Sequence, residues 1–118
     1  VVTGVALAFL CAGALIGAYL LVPRGRARFS RRVIAITHGG LGALGLAILG
    51  FALRDGVPRA LAGRPVATAF GLLALGFLGG LAVFAATRHK KSPPALALAL
   101  HVILAGIGVL LYAGLVLT

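Results

Sequence analysis

The chain has 118 residues, 62% of them hydrophobic and only 10% charged, and it carries a net charge of +10. A water-soluble domain of this size needs far more polar surface than that. The basic residues sit almost entirely between four long apolar blocks. They therefore mark membrane topology and lipid-headgroup contact, and no nucleic-acid partner is expected, since such a surface would need aromatic or polar readers beside the charge.

Each block can cross about 30 Å of hydrocarbon as an α-helix rising about 1.5 Å per residue. The spans are predicted over residues 2–22, 33–53, 65–87 and 95–117 of a single transmembrane domain, 1–118. Val1 to Leu21 is long for a signal sequence, and no small-x-small cleavage site leads into a polar mature domain, so it reads as a retained span. Pro23 and Arg24-Gly25-Arg26-Ala27-Arg28 close the first span. Arg54-Asp55-Gly56-Val57-Pro58 is a turn after the second, and the stretch to Arg64 is expected along the interface. Pro65 opens the third span, and Pro93 and Pro94 open the fourth, because the first turn of a helix has no partner for the missing N–H.

Lipid offers the backbone no hydrogen bonds, so the spans must be helices. They are too few and too continuously apolar for a barrel. The expected fold is all-α, an integral membrane four-helix bundle.

Lys and Arg set the orientation. The first loop holds Arg24, Arg26, Arg28, Arg31 and Arg32, and the third holds Arg88, Lys90 and Lys91. The opposite side has Arg54, Arg59 and Arg64, partly offset by Asp55. The excess places the first and third loops in the cytoplasm and both termini outside it. The Ala, Gly and Arg bias points to a GC-rich bacterial source, hence to a multi-pass protein of the bacterial inner (cytoplasmic) membrane.

The two halves align without a gap. A shift of 63 positions puts Gly13 on Gly76, Gly17 on Gly80, His38 on His101 and Gly45 on Gly108, with Gly42 meeting Ala105. Two spans per repeat would give both halves the same orientation, related by a pseudo-two-fold axis along the membrane normal. His38 and His101 should then lie at one depth on helices running the same way.

On a helix, i, i+4 and i+7 share a face. His38 shares its face with Gly42 and Gly45, and His101 with Ala105 and Gly108. Each histidine thus borders a stripe without bulky side chains, the shape a flat apolar cofactor needs. Four spans with histidines on alternate helices resemble the haem-b-binding membrane subunits, such as the cytochrome b561 group and the haem-bearing anchors of respiratory dehydrogenases. The resemblance covers the layout and the two histidines; the b561 proteins have more spans and a second histidine pair. It implies that His38 and His101 are axial ligands to one haem b between spans 2 and 4. It also implies an electron-transfer subunit linking a partner enzyme to quinone.

Other readings stand beside it. The pair could hold another metal, or a bacteriochlorophyll, since Ala97 lies four residues before His101 in a small-x-x-x-His spacing; Ile34 breaks that spacing before His38. The histidines could equally serve packing in a cofactor-free accessory subunit of a larger respiratory or photosynthetic membrane complex. A small-solute transporter is the weakest reading, because no span contains Asp, Glu, Lys or Arg.

Smaller signals follow. Gly13-x-x-x-Gly17 and Gly76-x-x-x-Gly80 read as close helix crossings. Phe70, Phe77 and Phe84 recur every seven residues as a stripe facing lipid or a partner. Tyr19 reads as an interfacial anchor, Tyr112 as a packing or interfacial residue, and His89 as solvated. Cys11 is the only cysteine and reads as apolar packing. Asp55 is the only acid, which excludes paired-carboxylate catalysis.

Overall fold

The computed structural model describes residues 1–23, 28–56, 61–89 and 92–118. It holds four helices, α1 (Val2–Tyr19), α2 (Arg31–Arg54), α3 (Val66–Arg88) and α4 (Ala95–Leu117), each long and apolar enough to cross a membrane. Among the described residues there is no strand. Arg24, Arg26, Arg59, Lys90 and Lys91 of the topology count, and Val57-Pro58 of the expected turn, lie outside the described residues.

The bundle measures 47 × 25 × 20 Å. Its long axis matches a bilayer with headgroups, about 40–45 Å. The spans fall where the sequence places them, with one difference at α1. The helix ends at Tyr19, and Leu20, Leu21 and Val22 continue as a tighter turn with N–H groups bonded three residues back. Pro23 disfavours helical backbone in the residue before it, so the chain cannot run straight on. The freed carbonyls of Leu20 and Val22 are instead taken by the Arg31 guanidinium, at 2.8 Å for Val22. Tyr19 is more than an anchor: its hydroxyl accepts the Arg28 N–H at 2.8 Å, and its ring lies 6.1 Å from that of Phe29.

At the other end of the bundle Arg64 caps α4. Its Nη1 donates to the Leu115 carbonyl at 2.7 Å and to Thr118 Oγ1 at 3.1 Å. Cationic donors suit the last turn of a helix, where carbonyls lack partners. Gly56 and Gly63, flanking the second loop, have φ of 102° and 78°, a region that favours glycine.

Most large apolar side chains point outward, as at Leu15, Leu78 and Leu110, which is the pattern of a surface solvated by lipid. The closest pairings are α1 with α2 and α3 with α4; these two hairpins then meet through α2–α3 and α1–α4. The buried core comprises Ala6, Leu7, Leu10, Leu49, Leu61, Val66, Ala69, Leu73 and Tyr112. All of these belong to the early part of α1 and α3, the late part of α2 and α4, or the second loop. The packed core therefore occupies the half of the bundle nearer the termini. The half nearer the arginine-rich loop has no fully buried apolar side chain among the described residues.

Contacts repeat under the shift of 63. Ala6 and Ala69 are both buried, as are Leu10 and Leu73, Gly45 and Gly108, and Leu49 and Tyr112. The tight approaches inside the first hairpin have equivalents inside the second. The two hairpins thus pack alike at these positions.

Candidate functional site

His38 is seven residues into α2 and His101 six into α4, so both lie about 10 Å along their helices from the arginine-rich end. The rings meet across the bundle: their centroids are 5.7 Å apart and their planes make 77°. Both residues are half-buried.

Each imidazole is held in the same way. His38 Nδ1 is 2.8 Å from the Gly13 carbonyl oxygen, and His101 Nδ1 is 2.7 Å from that of Gly76. A carbonyl only accepts, so Nδ1 is the donor in each bond, and in the neutral ring that tautomer leaves the lone pair on Nε2. Neither Nε2 has a protein partner among the described hydrogen bonds. With both Nδ1–H groups on backbone carbonyls, two rings in this tautomer cannot hydrogen-bond one another. They form a pair of Lewis bases in an apolar setting.

Glycines line this level. A methyl at Gly17 would come within 2.6 Å of His38 Cε1, and one at Gly80 within 2.8 Å of His101 Cε1. The sequence suggested helix crossings at both glycine pairs. Gly13 and Gly76 do lie at crossings, the first 3.5 Å from Gly42 N and the second 2.8 Å from Ala105 N when a Cβ is placed on each. Gly17 and Gly80 instead lie against the imidazoles. The only sequence signal for this was their alignment with each other in the same register as the histidines.

The other expected site residues divide. Gly42 faces Phe77 of α3, 3.8 Å from the place of its missing Cβ, and Ala105 packs on Gly76. Gly45 and Gly108 are not beside open space. A Cβ there would meet Leu10 Cγ at 2.7 Å and Leu73 Cγ at 2.8 Å, so each glycine receives a leucine of its hairpin partner. They share the histidine's face but lie two turns farther along, in the packed half.

Tyr112 lies farther still. It is fully buried and its hydroxyl donates to the Thr3 carbonyl at 3.0 Å, joining α4 to the start of α1. This is the packing role. Phe70 and Phe77 of the stripe face Gly50 and Gly42 of α2, within the bundle itself. An apolar groove of about 480 Å³ runs between them and Arg54. Cys11 is a free thiol packed against the core.

Among the described residues no cluster of three or more His, Cys, Asp or Glu could hold a metal ion. A metal at this level would have the two imidazoles as its protein ligands of those types. No protein-family model, no curated protein and no solved structure matches the chain.

Proposed function

We propose that the protein is a membrane electron-transfer subunit that holds one b-type haem between α2 and α4, with His38 and His101 as axial ligands. The observation that carries this reading is the converging imidazole pair, each with Nδ1–H on a backbone carbonyl and with no partner for Nε2 among the described residues. Metal-ligating histidines characteristically donate their other N–H in this way, which orients the ring and raises its basicity. The donor set fits a bis-imidazole metal, and among the described residues no apolar side chain at this level is fully buried. When bound, haem supplies reversible one-electron chemistry tuned by ligands and burial. His38 and His101 would hold the iron, their Nδ1–H bonds to Gly13 and Gly76 would orient the rings, and the apolar helices would exclude bulk water. A bacteriochlorophyll would use one imidazole and leave the second without purpose.

With Asp55 as the only acid, paired-carboxylate catalysis is excluded, and in this reading the electrons would pass between a partner enzyme and the quinone pool. The setting that suits this is a bacterial inner membrane, with the arginine-rich loops cytoplasmic and both termini outside. Reduced-minus-oxidised spectra of the protein purified with its associated subunits test the reading. A haem band is expected, and it should disappear in His38→Ala and in His101→Ala. Its absence from the intact preparation would refute the proposal.

One observation favours a second reading, a cofactor-free accessory subunit. Gly45 and Gly108 are filled by leucines rather than bordering a ring-sized space. The same spectrum separates the two.

A further inference from the structure

We propose that Gly17 and Gly80 are positioning residues that seat the two imidazoles and set their tautomer. The reason lies in helix geometry. The carbonyl of Gly13 already accepts the N–H four residues on, which is that of Gly17 itself, and its second lone pair faces outward. A side chain at position 17 would lean back toward the helix N-terminus and cover that carbonyl. Glycine leaves it bare. His38 then reaches across from α2, lays its Cε1–Nδ1 edge where the side chain would be, and donates Nδ1–H to Gly13.

The second hairpin repeats every part. A Cβ at Gly17 would lie 2.6 Å from Cε1, 2.7 Å from Nδ1 and 3.2 Å from Nε2 of His38. At Gly80 the corresponding distances to His101 are 2.8, 3.0 and 3.5 Å. Gly76 offers its carbonyl to His101 as Gly13 does to His38. A glycine four residues after an acceptor carbonyl is therefore a seat for an imidazole from the neighbouring helix. In the neutral ring the seat places the proton on Nδ1 and leaves Nε2 unprotonated, the form a metal needs.

The role in haem binding rests on the reading above, but the seat itself is tested without cofactor. The experiment is ¹⁵N NMR of histidine-labelled protein, free of haem, in lipid nanodiscs. In the unaltered protein His38 and His101 should both show protonated, hydrogen-bonded Nδ1 and bare Nε2. Gly17→Ala should change the His38 signals alone, and Gly80→Ala those of His101 alone. Gly13→Ala keeps its carbonyl and has room, with nearest contacts of 3.5 Å, so it should change neither. His89, exposed at the end of α3, is the internal reference. In haem-loaded protein each seat variant should weaken haem retention about ten- to a hundredfold, the usual effect of losing an outer-shell partner.

A proton found on Nε2 in the unaltered protein overturns the proposal, even if the alanine variants fail to fold. So do folded alanine variants with unchanged signals. Locked tautomers in a protein that never takes up haem would refute the haem reading and leave the seat. Haem bound with histidines indifferent to both alanines would do the reverse.

Discussion

Gly13 and Gly76 occupy equivalent positions in the two hairpins, yet alanine should act oppositely at them. At Gly76 the new Cβ would lie 2.8 Å from Ala105 N and 3.0 Å from both its Cα and Cβ. Comfortable carbon contacts are about 3.5–4.0 Å, so α3 and α4 must part by roughly half an ångström or more at their crossing. Overpacking of this kind costs about 1–3 kcal/mol. The offsetting gain from replacing a mid-helix glycine is about 0.5–1 kcal/mol. Gly76→Ala should therefore lose about 1–2 kcal/mol net, taking the middle of those ranges. At Gly13 the nearest contacts are 3.5 Å to Gly42 N and to Leu41 Cβ, which are ordinary. Gly13→Ala should be neutral or stabilising by up to about 1 kcal/mol. Because both sites share a helix context, their difference isolates the crossing. Equilibrium unfolding in mixed detergent–SDS micelles, followed by helical circular dichroism, measures it. Ala105→Gly on the Gly76→Ala background should restore part of the loss, since it removes the Cβ contact but not the backbone one. Equal effects at positions 13 and 76 would refute the reasoning.

Gly45→Ala and Gly108→Ala should destabilise alike, because each new Cβ meets a leucine Cγ, at 2.7 Å and 2.8 Å. Adding Leu10→Ala to Gly45→Ala should cost less than the two changes summed, with a coupling of about 0.5–3 kcal/mol in the same unfolding assay. Tyr112→Phe removes the bond to the Thr3 carbonyl and should cost about 0.6 kcal/mol, the typical worth of such a bond between membrane helices. A reporter active only outside the cytoplasm, fused after Thr118, should be active; one fused in the first loop should be silent. The opposite pattern would reverse the orientation drawn from the arginines.

The division between sequence and tertiary structure follows from the solvent. Four apolar blocks separated by Pro and Arg are enough to determine four helices and their antiparallel order, because hydrocarbon permits no other way to satisfy the backbone. The shared register of His38 and His101 was likewise legible, since a repeat fixes equal depth before any contact is known. Helical periodicity also showed that His38, Gly42 and Gly45 lie on one face. What it could not show was which neighbour each of them meets. In water a polar face tells a helix which side turns outward, but here lipid and core are equally apolar and the glycines are spread around every helix. Only the packed hairpins decided that Gly45 and Gly108 receive leucines, that Phe70 and Phe77 face α2, and that Gly17 and Gly80 lie beneath the imidazoles. Those choices depend on shape at a distance of a few ångströms between helices, and no pattern along a single strand of sequence carries that information.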